Sequence, residues 1–244
     1  LTEELLCRLE IDGAEIKAIG PLGASTDINT IIVDDKRYGK MVPRNGEYFT
    51  FRILDVNDKE IDDRFVDRAV KLSFMSYTKR FNIEAKKARN SEYADFKVMF
   101  RTPENDERHV MTKSTIMYHY FPIADFRNPK RGLCVINPNF WFTDHGNSIP
   151  MWMIDPVHYD ENSTARGPTI DFDGTYRHEL GHGWGLPHDP EPNTTMSTPY
   201  SKLREFLDER TIFRMIKKYG MKKISPRKLV RWLRYIWARS ERFS

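Results

Sequence analysis

The run His178-Glu179-Leu180-Gly181-His182-Gly183-Trp184-Gly185-Leu186-Pro187-His188-Asp189 constrains this chain more than any other stretch, because it packs three imidazoles and a carboxylate into one short segment. In a helix, His178 and His182 lie four residues apart and project from one face, so both can reach a single ion with Glu179 beside it. A helix alone cannot deliver a third ligand in a tetrahedral arrangement. The chain must turn back, and Gly185 is the residue that tolerates the positive φ of a helix end. His188 then returns as the third ligand.

Three neutral imidazoles leave the fourth position of a zinc ion open for water, which is the arrangement of a catalytic rather than a structural site. Zinc lowers the pKa of bound water to about 7 and polarises a carbonyl, and Glu179 can take the proton as general base and pass it to a leaving amine. The chemistry this predicts is metal-assisted amide hydrolysis without a covalent intermediate. A chance His-Glu-x-x-His match has odds on the order of 1 in 100, and adding the spaced Gly and third His lowers them to on the order of 1 in 50,000.

On these residues the chain resembles the metzincin zinc endopeptidases, whose motif His-Glu-x-x-His-x-x-Gly-x-x-His precedes a turn carrying a methionine. Met196 matches that Met-turn, and the resemblance implies an apolar floor under the metal rather than a ligand. Asp189 after the third His is similar to the adamalysin pattern, whereas matrixins usually carry Ser there.

Elsewhere the resemblance is to matrixins. Tyr48 to Ile53 alternates like a first strand, and Val66, Ala69, Val70, Phe74 and Tyr77 recur at helical spacing. Ala94 to Phe100 is similar to the family's Ala-Asp-Ile strand, and Tyr118-His119-Tyr120-Phe121-Pro122 to its Ala-His-Ala-Tyr-Ala-Pro segment. Gly132 to Asn137 is then expected to be the edge strand that pairs with an extended substrate. Ile170 to Arg177 resembles the run that starts the family's active-site helix, and Asp171 or Asp173 suits the helix dipole. Pro199-Tyr200 resembles the wall of the S1′ pocket, which implies a substrate-binding role for Tyr200. Leu207 to Tyr219 reads as a closing helix with Phe206, Phe213 and Ile216 on its apolar face and Gly220 as its stop.

The implied fold is mixed α+β, zincin-like: a twisted, mostly parallel sheet with an antiparallel edge strand, an active-site helix and a C-terminal helix. The implied cofactor is one catalytic zinc. Matrixins also hold a structural zinc and calcium ions, but Val135, Asn137, Pro138 and Asn139 stand where ligands are needed, so those sites are expected to be missing. His119 then reads as a plain strand histidine. Asp95 reads as a solvated carboxylate, with a calcium ligand as the alternative.

Three regions follow. Residues 1–45 form a β-rich extension, with strands at Arg8 to Ile11 and Glu15 to Ile19 flanking the Asp12-Gly13 turn and another strand at Thr30 to Val33. The alternative is a latency pro-segment, since a Cys thiolate can occupy an open zinc position and Cys7 is the candidate there; the matrixin switch motif, however, is replaced by Leu5-Leu6-Cys7-Arg8. Residues 46–220 form the peptidase-like domain, with an insertion around 142–168. Residues 221–244 form a basic amphipathic helix or tail.

Charge sharpens that division. Residues 221–244 carry a net +7 and the remainder −3, so the basic pI belongs to the tail. The tail suits an acidic partner or a membrane surface, or simply covers the domain with a solvated basic face. Its aromatics fall on the apolar stripe, not between arginines, which argues against nucleic acid. At 30% charged residues no run approaches the roughly 18 apolar residues of a membrane span, so integral membrane association is not expected. No signal peptide stands at the start, but numbering begins at Leu1 and its absence does not argue for cytoplasm; the resemblance implies secretion. Cys7 and Cys134 are too few for a disulfide framework; they could pair with each other, but read rather as buried thiols. The function expected is zinc-dependent endoproteolysis of a protein or peptide. Its alternative is a catalytically silent metzincin-fold module of a larger assembly, against which the retention of Glu179 speaks.

Overall fold

The computed structural model describes residues 6–12, 15–19, 27–28, 30, 36–61, 64–89, 93–108, 110–144, 147–150, 170–198 and 207–223. The expected strand beyond Thr30, most of the insertion, Tyr200, Phe206 and the tail beyond residue 223 lie outside them.

A mixed sheet carries the fold. Its strands are β1 (Leu6–Asp12), β2 (Glu15–Ile19), β3 (Phe49–Leu54), β4 (Ala85–Lys87), β5 (Phe96–Phe100), β6 (Thr115–Tyr120) and β7 (Leu133–Ile136), in the order β2-β1-β6-β7-β5-β3-β4. From β4 to β7 every pairing is parallel; β6 turns antiparallel against β7, and the β1–β2 hairpin continues antiparallel beyond it. Strands β8 (Trp141–Asp144), β9 (Asn147–Pro150) and β10 (Ile170–Asp171) make a small second sheet.

The alternation of side chains sorts the main sheet into two cores. Phe49, Phe51, Ile53, Phe96, Val98, Phe100, Cys134 and Ile136 face one cluster, while Leu54, Met99, Leu133 and Val135 face the other. The first face receives helix α1 (Arg64–Thr78) through Val66, Ala69, Val70, Phe74 and Tyr77, the residues whose spacing predicts that helix, and helix α2 (Phe172–Gly183) packs beside it. Trp184 joins the layers edge-on against Phe49, Phe74 and Phe96.

Three expectations are corrected. The run Leu133–Ile136 is not an edge strand: it lies between β5 and β6 and is buried on both faces, as an unbroken apolar run in a parallel sheet should be. The antiparallel strand that borders the parallel set is β6. On helix α3 (Glu209–Tyr219) the buried residues are Thr211, Arg214 and Met215, whereas Phe213 is 39% exposed. Arg214 turns inward because it meets a buried carboxylate, and this rotates the helix away from the face that hydrophobicity alone selects. Asp95, finally, is buried rather than solvated. It accepts from the backbone N–H groups of Arg44 and Thr50, both at 2.9 Å, and pairs with Arg131 at 3.3 Å, so protein donors take the oxygens that a calcium would need.

Candidate metal centre

Helix α2 starts where an Asp can cap it: Asp171 is extended and accepts from the Gly174 N–H at 3.0 Å. All twelve of its residues are buried, so its polar groups need partners. Asp173 pairs with Arg177 and accepts from Ser73 Oγ at 2.8 Å, and Tyr77 donates to the Arg177 carbonyl at 3.0 Å. These bonds fix the helix against α1.

Two glycines of the motif are packing residues that its metal-ligand spacing did not reveal. A Cβ on Gly181 would stand 2.4 Å from Met196 Sδ, and one on Gly183 would stand 2.6 Å from His119 Cε1. Gly185 fills the conformational role expected of it, with φ +92°. Its carbonyl accepts from Lys218 Nζ at 2.7 Å.

Past that turn the chain brings His188 back, and the three imidazoles converge. Ring centroids lie 4.7 Å apart for His178–His182 and for His182–His188, and 5.2 Å for His178–His188, all three being fully buried. His178 Nδ1 donates to the Thr195 carbonyl and His182 Nδ1 to the Leu186 carbonyl, both at 2.7 Å. Because carbonyls only accept, each neutral ring must carry its proton on Nδ1, which leaves each Nε2 as an acceptor. Those two atoms are 3.1 Å apart. Two acceptors at that distance repel unless a cation lies between them, and a proton is a poor choice: burial, and after it His188, pushes the His182 pKa well below the ordinary value. A metal ion answers the arrangement. Tetrahedral zinc with bonds of about 2.05 Å separates its nitrogen ligands by about 3.3 Å. The residues present fit zinc.

Glu179 is fully buried and offers a carboxylate oxygen within 4.8 Å of ligand nitrogens of His178 and His182. Met196 is fully buried beneath Gly181. Its turn is held at both ends: the Asp189 N–H donates to the Met196 carbonyl at 2.8 Å, and the Thr195 N–H to Asp208, the α3 N-cap, at 2.6 Å. Asp189 is itself a buried anchor, accepting from Arg210 Nε at 2.9 Å and facing Arg214 Nη1 at 3.5 Å, while Arg214 Nη2 donates to the Pro187 carbonyl at 2.7 Å. The two residues flanking His188 are thus tied to α3. An arginine on the inward face of an amphipathic helix was the available signal for this.

The N-terminal hairpin brings one more group. Both cysteines are free and fully buried, and Cys7 Sγ lies with ligand nitrogens of His182 and His188 inside a 4.8 Å cluster. Burial first, and the Glu179 charge second, push the Cys7 thiol up in the metal-free protein. Cys7 also packs with Tyr38 and Phe121, and Phe121 sits edge-on to His182 at 5.3 Å. His119, the register partner of Cys7, is a buried strand histidine as expected: Nδ1 donates to the Tyr120 carbonyl at 2.7 Å, and burial pushes its pKa down to about 4.

A family model described as matrixin matches residues 44–212, more than two thirds of the chain. The chain therefore belongs to the matrixin family, and its mixed α+β fold with a mostly parallel sheet is the one that membership predicts. No curated protein is significantly similar to it. The matched region begins at Arg44, so the hairpin that carries Cys7 stands outside it.

Proposed function

We propose that this chain is a zinc endopeptidase in which His178, His182 and His188 hold the ion and Glu179 is the general base. The observation that carries the reading is the pair of buried Nε2 lone pairs 3.1 Å apart, with the carboxylate of Glu179 in the same cluster. Membership in a family of metalloproteases supports it. When bound, the ion supplies a Lewis acid that acidifies water and polarises the scissile carbonyl.

The chain's own residues do the rest. The Thr195 and Leu186 carbonyls hold the tautomer of two imidazoles, and the Asp189–Arg214 pair holds the turn from which the third extends. Glu179, shielded from solvent, accepts the proton of the attacking water and carries it to the leaving nitrogen, so the proton never equilibrates with bulk water. Peptide chains are the substrate class, and Tyr200, by its offset from the Met-turn, is offered as an S1′ wall. Secretion is part of the proposal, supported by a family that is generally extracellular. No helix among the described residues is long and apolar enough to cross a membrane. The basic segment 221–244 is offered as a docking element for an acidic partner.

The test is digestion of a broad peptide library by the zinc-loaded chain, before and after the chain is nicked between residues 19 and 36. Cleavage should disappear on chelation and return with zinc, and Glu179→Gln should lower it about 100- to 10,000-fold with zinc still bound. Zinc binding with no cleavage in either form would favour the silent binding module instead.

A further inference from the structure

We infer that the outer face of the main sheet carries an anion site, in which Arg52, Lys97 and Arg108 take one tetrahedral oxyanion, a sulfate or a phosphate. It lies away from the histidines and stands whether or not they cleave peptides.

The site is built by strand register. Phe51 and Ile53 of β3, with Phe96 and Val98 of β5, face the main core and its helices, so the residues alternating with them face the other way. The parallel pairing sets Arg52 opposite Lys97 and Leu54 opposite Met99, which puts all four on that outer face. Leu54 and Met99 belong to the second core and make an apolar floor. Arg108, from the loop after β5, and Pro129, from the loop before β7, complete an open pocket of about 190 Å³ whose one lining carboxylate is Asp58. That is below the roughly 300–1,000 Å³ of a site for a drug-sized ligand, so the pocket suits a single compact group.

The charges there do not balance. Two cations opposite each other on neighbouring strands repel, and the sheet gains nothing from the pairing. On its other side Lys97 faces Leu133 in register, and its ammonium makes no ion pair among the described residues. The nearby carboxylates are engaged elsewhere. Asp58 pairs with Arg101, and Glu60 is divided between Arg52 at 3.7 Å and Lys87 at 3.9 Å. Asp106 accepts from the Val110 and Met111 N–H groups and the Tyr118 hydroxyl, and meets Arg108 only at 4.0 Å. Burial, and after it Arg44, Arg108 and Arg52, push the Lys97 pKa down, with Asp58 opposing. A half-buried ammonium among arginines is a cost that a bound anion removes.

The three cations select the ligand. A carboxylate holds its two oxygens in one plane and satisfies one guanidinium fork, whereas sulfate and phosphate point oxygens to four corners and can meet donors arriving from two strands and a loop. The apolar floor lowers the local dielectric and strengthens each contact. Sulfate esters and phosphate monoesters share this chemistry with the free ions, because the open side of the pocket leaves one corner clear for a substituent.

The experiment titrates the full zinc-loaded chain by calorimetry, at neutral pH and constant ionic strength in chloride, with inorganic phosphate, inorganic sulfate, phenyl phosphate and phenyl sulfate. Wild type is compared with Lys97→Met, Arg108→Gln and Lys113→Met, the last removing an exposed cation outside the pocket as a control for net charge. Every variant keeps the histidines, so an anion binding at the zinc cancels in the comparison. Wild type should bind phosphate or sulfate at about 1 mM or tighter. Each pocket variant should bind about 10- to 100-fold more weakly, the loss of one charge-assisted hydrogen bond, while Lys113→Met stays within about 2-fold of wild type. Phosphate should also raise the urea midpoint of wild type more than that of Lys97→Met, the salting-out share being common to both. Should Lys97→Met fail to fold, Arg108→Gln, on a loop, decides. Esters that bind as well as the free ions assign the site to an anionic group on a larger molecule, and binding of the free ions alone assigns it to the ion itself. The inference is overturned if neither ion binds wild type, if Lys113→Met weakens binding as much as the pocket variants do, or if the pocket variants bind as wild type does.

Discussion

Two regions meet at the histidines, and they are held there by different means. The segment from His178 to Met196 is fixed mostly by its own backbone. His182 donates to Leu186, His178 to Thr195 and Asp189 to Met196, so two of the imidazoles are oriented by carbonyls four and seventeen residues away. The hairpin from Leu6 to Ile19 is held by a ladder to β6, a strand more than 100 residues distant, and brings its thiol in from outside the family match. The first arrangement cannot be dismantled without unfolding α2. The second rests on backbone pairing to β6, with Cys7 in a small cluster and Leu6 against the second core, and no described side chain of β1 belongs to the main core.

That contrast can be broken at several points. The largest effect is expected at Arg214: replacing it with Ala takes one partner from the buried Asp189 and the donor from the Pro187 carbonyl, and should cost about 3–5 kcal/mol in urea unfolding. A loss below about 1 kcal/mol would mean that the turn bearing His188 is held by its backbone alone.

His119 sits at the seam, paired in register with Cys7 on one side and Cys134 on the other. Its pKa is pushed down to about 4 by burial, from about 6.5, so on acidification the unfolded chain takes up the proton first. Its contribution is therefore flat above pH 6.5, falls as pH drops toward 4, and levels off below. His119→Gln should remove up to about 3 kcal/mol from the stability difference between pH 7 and pH 4, measured on the metal-free protein. An unchanged pH slope would show that the seam is wet.

Gly183→Ala probes the same seam from the helix side. The new methyl would meet the rigid His119 ring at 2.6 Å and Phe96 at 3.0 Å, and should lower stability by about 1–3 kcal/mol.

The same contrast governs what the amino-acid order reveals. The convergence of the three imidazoles, the Gly185 turn, the α1 face and the pairing of β1 with β2 are legible because each is encoded in a short stretch of chain. The place of Leu133–Ile136 is not legible, because a run of apolar residues says that a strand is buried but not which strands flank it. The meeting of Cys7 with His182 and His188 is a product of sheet order, which no local pattern specifies. The inward turn of Arg214 required knowing that Asp189 is buried opposite it. Gly181 and Gly183 show the same limit, since the residues that demand their small size are Met196 and His119, one beyond the motif and one on another strand.

The most direct measurement of the whole account is zinc K-edge X-ray absorption on the intact, reduced chain carrying one zinc. If the three imidazoles of the motif hold the ion, the first shell should contain three imidazole nitrogens at about 2.0 Å, and His188→Ala should remove one of them. A shell with fewer than three imidazole nitrogens, or one unchanged in His188→Ala, would contradict the account.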